Sequence, residues 1–293
     1  MIGGRAEMET EMDYDAADNS AKCYVVAIEA LRERLASFRC EEIGACKLYL
    51  GDCRELLPLL PRADHIISDP PYESVMHDSK NGRAPARIDG GNDLRGLDFA
   101  PIDDIRGEVV RLAHDGCGGW FIVFCTVEGV SKWADAINPS PLKYKRACIW
   151  IKPDSTPQLN GQGPAQGAEC FVAAWAGRGH AKWNSGGKRG VYTHCVNGPH
   201  RHGEHPTEKP ASLMREIVLD FTAQGDLVCD PFMGSGTTGV ACVRLGRRFV
   251  GIEVEQKWFD IACRRIEAAT KQPDLFIEQP KKAEQLNLLE SAP

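Results

Sequence analysis

The stretch that decides the fold is LVCDPFMGSGTTG, residues 227–239. Its first three residues (227–229) are apolar, which predicts a short strand, and a helix is predicted from the end of the stretch to about Leu245. Glycines between the two, Gly234 and Gly236, let a ligand approach the backbone, and the start of a helix offers unpaired N–H groups. The stretch therefore predicts a ligand-binding turn between a strand and a helix.

An acid that follows this turn narrows the class of ligand. Glu253 comes directly after the next predicted strand (249–252), 19 residues after Gly234. A carboxylate there can accept both ribose hydroxyls of an adenosine-containing cofactor. The match to G-x-G-x-x-G also fits a nicotinamide cofactor, but only about 55 residues follow the turn, too few for the second half of a dinucleotide-binding fold. A loop without a ligand is the third alternative.

Outward from this stretch, short apolar strands alternate with amphipathic helices over most of the chain. This alternation predicts an α/β fold with a mostly parallel central sheet and helices on both faces. In the last third, Leu213, Ile217 and Phe221 share one helix face, which predicts the core side of that helix. The predicted strands are 47–50, 65–68, 120–125, 147–151, 170–175, 227–229 and 249–252, and the predicted helices are 103–114, 127–137, 211–223, the one that ends near residue 245, and 256–269.

The composition excludes several classes of protein. Of the 293 residues, 43% are hydrophobic and 26% are charged, which is typical of globular domains and not of disordered or collagen-like chains. The acidic first twenty residues do not resemble a secretory signal, and no apolar run approaches the roughly 20 residues that span a bilayer. Twelve scattered cysteines without a Cys-x-x-Cys pair are interpreted as reduced thiols. We therefore expect a cytoplasmic protein.

The formal net charge of −6 is unevenly distributed along the chain. Residues 1–20 carry a net charge of −5 and residues 272–293 a net charge of −2, which leaves +1 for the residues between them. Within that core, residues 170–203 contain no Asp or Glu but five Arg and Lys residues. We expect flexible acidic ends, one folded domain over residues 21–271, and one local basic surface.

A tetrapeptide, Asp69-Pro70-Pro71-Tyr72, follows the predicted strand 65–68, at the edge where open α/β sheets bind ligands. The prolines restrict φ and donate no N–H, so the Asp69 carboxylate and the Pro70 carbonyl are presented as hydrogen-bond acceptors. Two acceptors that hold both protons of an exocyclic amine of adenine or cytosine free its lone pair for attack on an electrophilic methyl group. Tyr72 can stack on a base that has been flipped out of a nucleic-acid double helix. A turn that only ends the strand is the alternative.

Three motifs together resemble one enzyme family. The tetrapeptide, the segment His205-Pro-Thr-Glu-Lys-Pro210 and the glycine turn occur in the order found in beta-class S-adenosylmethionine-dependent DNA amino-methyltransferases. The similarity covers about residues 45–270 and implies a Rossmann-like methyltransferase fold with a permuted motif order. It also implies a site-specific enzyme that flips its target base and transfers methyl directly, without a covalent enzyme intermediate.

The resemblance assigns roles to individual residues. Asp69, Pro70, Pro71 and Tyr72 are the expected catalytic residues. The residues implied for the S-adenosylmethionine site are Asp52, His205, Pro206, Thr207, Lys209, Asp230, Phe232, Gly234, Ser235, Gly236, Thr237 and Glu253. Among these, Glu253 is expected on the ribose, Asp52 on the adenine amine, and Thr207 and Lys209 near the methionine carboxylate.

The choice of target base also rests on the resemblance. In this family, Asp at the first position of the tetrapeptide is more usual for N6 of adenine and Ser for N4 of cytosine, so adenine is predicted and N4-cytosine is the alternative. Methylation of cytosine C5 is excluded because it needs a Pro-Cys pair, and the chain has none. A non-catalytic DNA-binding subunit is a remoter alternative, as is the nicotinamide-dependent enzyme. The recognition sequence and the biological role stay open.

Basic side chains suggest where DNA binds. Residues 154–204 occupy the recognition position of the family, and residues 73–100, which follow the tetrapeptide, are predicted to be a mobile DNA-facing loop. An insert of about 50 residues predicts a short recognition site, and a solvated basic loop is the alternative. The nearby histidines and Cys195 lack zinc-finger spacing, so no metal site is predicted. The expected DNA contacts are Arg83, Arg87, Lys152, Arg178, Lys182, Lys188, Arg189 and Arg201.

The tail, residues 272–293, holds a further motif. Gln272-Pro-Asp-Leu-Phe276 resembles the pentapeptide by which bacterial replication and repair proteins bind the sliding clamp, with Gln272, Leu275 and Phe276 as the contacts. The methyltransferase resemblance adds a homodimer as an expectation, and no membrane contact is expected.

Overall fold

The computed structural model describes residues 29–71, 102–157, 163–197 and 208–271. The chain divides into two compact units, Met1–Arg39 and Cys40–Pro293. In the described part of the first unit, residues 29–36 form a helix.

A nine-stranded sheet forms the centre of the described structure. Its strands are β1 (Arg39–Ile43), β2 (Cys46–Leu50), β3 (His65–Ser68), β4 (Trp120–Cys125), β5 (Lys143–Ile151), β6 (Ala168–Trp175), β7 (Val191–Thr193), β8 (Leu227–Asp230) and β9 (Arg248–Glu253). Their order across the sheet is β1-β2-β9-β8-β3-β4-β6-β5-β7.

Within the part of the chain that the structure describes, six α-helices connect or follow these strands. They are α1 (Cys53–Leu56), α2 (Arg106–Gly116), α3 (Gly129–Ile137), α4 (Ala211–Phe221), α5 (Thr237–Arg244) and α6 (Gln256–Thr270), and short 3₁₀ helices occupy Leu57–Leu59 and Ile102–Asp104. Within the described ranges, no helix combines the length and the apolar character that a membrane crossing needs.

Parallel pairing dominates the sheet, as predicted. β2 and β9, β9 and β8, β8 and β3, and β3 and β4 are parallel pairs, and β5 and β7 form another. β6 is antiparallel to both of its neighbours, β4 and β5. The predicted strands 65–68 and 120–125 are confirmed to the residue. β1 and β7 were not predicted, because they are short and partly exposed and so lack a hydrophobic run.

Helices cover both faces of the sheet. Successive residues of a strand point to opposite faces. In β4, the ring of Trp120 packs on Phe221 of α4, with centroids 5.2 Å apart, whereas the ring of the next residue, Phe121, packs on Trp133 of α3, with centroids 6.1 Å apart. The α4 residues Leu213, Ile217 and Phe221 are buried in the core, as their spacing predicts.

The strand directions collect chemistry-bearing residues at one edge, here called the carboxyl edge. β2, β9, β8, β3 and β4 all end there, and β6 begins there because it runs the other way. Asp230 and Glu253 are the last residues of β8 and β9, and Asp69 directly follows β3. The antiparallel β6 places Glu169 at the same edge. Acids from four separate chain segments therefore meet at the carboxyl edge.

Candidate active site

The glycine turn after β8 is held by backbone hydrogen bonds. The amide of Met233 donates to the carbonyl of Ile252 at 2.9 Å, and the amide of Gly236 donates to the carbonyl of Met233 at 2.9 Å. Gly234 and Gly236 have φ angles of 52° and 82°, a region that other residues rarely adopt. The turn thus leads directly into the N-terminus of α5, where Gly236 is the N-cap.

Gly236 also allows α6 to pack closely on the turn. A Cβ added at Gly236 would lie 2.9 Å from Cβ of Ala262. Gly236→Ala is therefore expected to lower the free energy of unfolding by about 2–4 kcal/mol, the sum of the positive-φ strain and the overlap. The measurement is urea unfolding followed by circular dichroism.

Gly179→Ala is the matched control for this prediction. Gly179 has a φ of 70°, but a Cβ there would meet no heavy atom within 4 Å. The Gly179→Ala variant should have a free energy of unfolding lower by only about 1–2 kcal/mol, the cost of backbone strain. Equal losses in the two variants would show that close packing against α6 is not what Gly236 provides.

Asp230 is buried beneath the turn and joins it to β3. Its carboxylate accepts hydrogen bonds from the hydroxyls of Ser68 at 2.6 Å and Thr238 at 2.7 Å, and from the amide of Phe232 at 3.1 Å. Burial raises the pKa of Asp230 to about 6. The end of β3, which Asp69 follows, and the glycine turn after β8 are thereby held together by one buried carboxylate.

Glu253 holds the turn from the adjacent strand. Its carboxylate accepts from the amides of Gly234 at 2.8 Å and Glu255 at 2.9 Å, and burial raises its pKa to about 7. Asp52 lies nearby, because Leu50 at the end of β2 pairs with Glu253. Asp52 accepts from the amide of Arg54 at 2.8 Å, and hydrogen bonds from the Arg54 side chain hold the pKa of Asp52 below its usual value.

The arrangement fits the adenosine and methionine parts of S-adenosylmethionine. The acids at the ends of β2 and β9 are acceptors for hydroxyl and amine donors, and the glycine backbone leaves the start of α5 without a side-chain cap. Three further residues implied for this site lie at the same turn: Phe232 is partly exposed, and Ser235 and Thr237 are buried.

Asp69 lies beside Lys209, a residue that the resemblance assigned to the cofactor. The Lys209 ammonium donates to both carboxylate oxygens of Asp69, at 2.8 and 2.7 Å. Pro70 is buried next to Asp69 and Pro71 is partly exposed. Tyr72, the fourth residue of the tetrapeptide, lies outside the described residues, as do the predicted cofactor residues His205, Pro206 and Thr207.

The basic segment is less basic in space than in sequence. Lys188 forms ion pairs with Glu216 at 2.6 Å and with Asp220, both on α4, and Tyr192 donates to Asp220 at 2.7 Å. His194 also contacts Glu216. Acids from a distant helix therefore neutralise part of this segment, which corrects the picture of an unopposed basic surface. A DNA contact by Lys188 would compete with these bonds.

Strand direction separates the other predicted DNA contacts. Arg178 follows β6, and the last residue of β6 pairs with Trp120, the first residue of β4. The backbone carbonyl of Lys182 accepts a hydrogen bond from the side chain of Trp120. Both side chains thus lie near the start of β4, about 17 Å along that strand from the carboxyl edge. Their placement does not support contact with DNA bound at Asp69.

The remaining predicted contacts differ in position. Lys152 is at the carboxyl edge but is paired with Glu169. Arg189 is exposed near β7. Arg83, Arg87 and Arg201 lie outside the described residues, as do the tail residues Gln272, Leu275 and Phe276.

Three functional candidates escaped the sequence analysis. Glu169 lies between Lys209 and Lys152, and Arg265 of α6 bridges Glu208 and the glycine turn, where it donates to the carbonyl of Ser235 at 2.7 Å. Glu208 belongs to the segment 205–210, but the sequence analysis assigned the cofactor role to its neighbours and not to Glu208. Nothing local distinguishes Glu169 or Arg265 from other charged residues, because their partners are far away in sequence.

Comparisons with known proteins identify the family of the chain. A model of the N6/N4 methyltransferase family, described as DNA methylase, matches residues 63–264. The type II methyltransferase M2.DpnII of Streptococcus pneumoniae is 30% identical over 223 residues, which cover 70% of this chain and 82% of that relative. M2.LlaDCHI of Lactococcus lactis subsp. cremoris is 28% identical over 221 residues, covering 69% and 81%.

Solved structures show the same fold. The complex of M1.HpyAVI with S-adenosylmethionine aligns with a TM-score of 0.58 and 26% identity, over 75% of this chain and 98% of that one. The cytosine-N4-specific PvuII DNA methyltransferase aligns with a TM-score of 0.60 but 16% identity, over 78% and 91%, and so shares the fold alone.

Proposed function

The chain belongs to the N6/N4 family of DNA methylases, and on this premise we propose that it methylates the N6 amine of adenine at a specific site in DNA. The observation that carries the proposal is the hydrogen bond from Ser68 to Asp230, which links the segment bearing Asp69 to the glycine turn. An amine acceptor and a cofactor turn thus share one edge of the sheet. The first residue of the tetrapeptide, Asp69, supports adenine over the alternative, N4 of cytosine.

S-adenosylmethionine supplies an electrophilic methyl group when it is bound. The glycine turn at Gly234–Thr237, with Asp52, Phe232, Asp230 and Glu253, would hold it. His205, Pro206 and Thr207 are proposed to complete this site.

The chain's own residues act on the target amine. The Asp69 carboxylate and the Pro70 carbonyl accept hydrogen bonds from the two N–H groups of the amine. These bonds draw the lone pair out of the aromatic ring and toward the methyl donor. Tyr72 holds the extrahelical base by stacking. Asp69 does not need to deprotonate the amine before attack, because the amine proton becomes strongly acidic as the new N–C bond forms and the bond between the methyl carbon and sulfur breaks. The proton then passes to the Asp69 carboxylate or to solvent.

The test of this function uses labelled S-adenosylmethionine and DNA of mixed sequence, followed by nucleoside analysis by mass spectrometry. The expected product is N6-methyladenine. Label on N4-methylcytosine would overturn the choice of base, and no transfer to any DNA would overturn the function.

Residues 73–100 are proposed to contact DNA through Arg83 and Arg87. Replacing both by Ala should weaken DNA binding and lower the slope of log K against log salt by about two, because two phosphate contacts are lost. Binding of S-adenosylmethionine should not change. Fluorescence anisotropy at several salt concentrations measures the effect.

The double variant Arg178→Ala and Lys182→Ala is the matched control, since it removes the same charge from the opposite end of the sheet. It should bind DNA as the wild type does. If both double variants lose affinity equally, the effect is one of net charge, and the proposed contact is wrong.

Three further proposals concern partners and location. Bacterial relatives that are named type II methyltransferases support a role in restriction and modification in the bacterial cytoplasm. A homodimer is proposed from the family resemblance. A sliding-clamp contact through Gln272, Leu275 and Phe276 is proposed from the sequence motif, and binding of a peptide covering residues 268–280 to the clamp tests it.

A further inference from the structure

Lys209 is a buried cation at the carboxyl edge. Its side chain is 6% exposed, and its ammonium lies 2.8 and 2.7 Å from the two carboxylate oxygens of Asp69. A second carboxylate, that of Glu169, lies 3.4 Å away, and the ring of Phe124 covers the ammonium at 5.1 Å from its centroid. Glu169 in turn accepts from Lys152. Four alternating charges thus form a chain that begins at Asp69.

We propose that Lys209 is a positioning residue that keeps the Asp69 carboxylate ionised and correctly oriented, and that Glu169 holds Lys209 in place. The inference rests on the proposed function, since it concerns Asp69, the group that accepts a hydrogen bond from the target amine. It differs from the role that the family resemblance implied, in which Lys209 contacts the methionine carboxylate of the cofactor.

The geometry supplies the orienting effect. An ammonium that bonds both oxygens of Asp69 prevents the carboxylate from rotating, and each oxygen keeps a lone pair, so that one of them can accept a hydrogen bond from the incoming amine. Glu169 is on β6, and β4 lies between β6 and β3 in the sheet. Glu169 therefore contacts the Lys209 ammonium from a different strand than the one that Asp69 follows. The ammonium is therefore held between two strands and cannot follow Asp69 if that side chain moves.

The charges around Asp69 supply the ionising effect. Burial raises the pKa of Asp69, the positive charges of Lys209 and Lys152 oppose that increase, and the carboxylate of Glu169 adds to it. Asp230, on β8, is a further acid close enough to interact with Asp69. Burial also disfavours the Lys209 ammonium, but the carboxylates of Asp69 and Glu169 outweigh it and raise the pKa of Lys209. Without Lys209, Asp69 would face two carboxylates with Lys152 as the sole remaining cation among these groups.

The test compares Lys209→Met with Lys209→Arg at saturating S-adenosylmethionine and DNA. A protonated Asp69 is a weaker hydrogen-bond acceptor for the amine and cannot take up the proton that methylation releases, so kcat should fall on the acid side of the pH profile. Lys209→Met should move this acid limb up by about one to three pH units and lower kcat at pH 7 by about 10²-fold. Lys209→Arg should restore the limb, because it restores the charge.

Glu169→Gln gives a second test with the opposite sign, which covers the case in which Lys209→Met does not fold. Loss of a carboxylate near Asp69 should move the acid limb to lower pH. A purely structural role would not produce opposite shifts in the two variants.

Equilibrium binding of S-adenosylmethionine, measured by calorimetry, separates the two roles of Lys209. The proposal expects the Kd of Lys209→Met to stay within about threefold of the wild type. A Kd at least tenfold higher with an unmoved acid limb would overturn the proposal and favour the cofactor role. If the wild type itself transfers no methyl to DNA, the proposed function fails first, and that result is distinct from an active enzyme whose acid limb does not respond.

Discussion

Asp69→Ala is expected to lower the rate of methyl transfer to DNA by about 10³-fold, the loss typical of a positioned acid–base group. Asp69 presents the carboxylate at the end of β3, and no other acid among the described residues directly follows that strand. The variant leaves Asp230, Glu253 and the glycine turn intact, so binding of S-adenosylmethionine should stay within a fewfold of the wild type. Incorporation of labelled methyl and calorimetric binding of the cofactor measure the two quantities.

Asp64→Ala is the control for this prediction. Asp64 directly precedes β3, so the same strand carries it at the opposite edge of the sheet. It accepts from the amide of Leu227 at 2.7 Å, and its removal should cost about 1 kcal/mol of stability without changing the rate. If Asp69→Ala keeps the biological activity of the wild type in cells, the chain acts as a DNA-binding subunit and not through methyl transfer. A full rate of methyl transfer in vitro would instead show that Asp69 is not a catalytic residue.

Asp220→Ala is expected to lower the free energy of unfolding by about 3 kcal/mol, as breaking a buried ion pair does. Asp220 is buried on α4 and accepts from the side chains of Ser185, Lys188 and Tyr192, which all belong to the segment before and within β7. Loss of the Asp220 carboxylate leaves the buried Tyr192 hydroxyl without this hydrogen-bond partner. Lys188 keeps its ion pair with Glu216. Thermal unfolding should show a melting temperature lower by about 6–12 °C.

A surface ion pair provides the comparison for Asp220. Glu267 and Lys271 are paired at 2.8 Å, but both side chains are more than half exposed. Glu267→Ala should therefore change stability by less than about 1 kcal/mol. A loss of similar size in both variants would mean that Asp220 does not anchor the segment around β7 to α4.

The alternation of apolar strands and helices predicted the order of the elements from β2 to α6 correctly except for β7. The buried strands β3 and β4 were located to the residue, because β4 is a continuous apolar run and β3 has an apolar centre, Ile66 and Ile67, between polar segments. The edge strands β1 and β7 escaped because half of such a strand faces solvent. Asp69, Asp230 and Glu253 were found because each directly follows or ends a buried strand.

Charge was predicted less well than position along the chain. The absence of acids in residues 170–203 is a true property of the sequence, but Glu216 and Asp220 approach that segment from α4. Arg178 and Lys182 look equivalent to Arg189 in sequence. The antiparallel direction of β6 takes the first two to the other end of the sheet.

The amino-acid sequence was sufficient for the fold class and for the positions of the glycine turn and of Asp69 at strand ends, because hydrophobic periodicity and turn chemistry depend on neighbouring residues. The pairing of Lys209 with Asp69, the contact of Asp220 with Lys188, and the edge at which each basic side chain lies were decided by the tertiary structure. The physical reason is that strand direction and helix packing bring together charges that are far apart in the sequence, 140 residues in the case of Asp69 and Lys209. A charge that has no partner nearby in the sequence can therefore be fully paired in the folded protein.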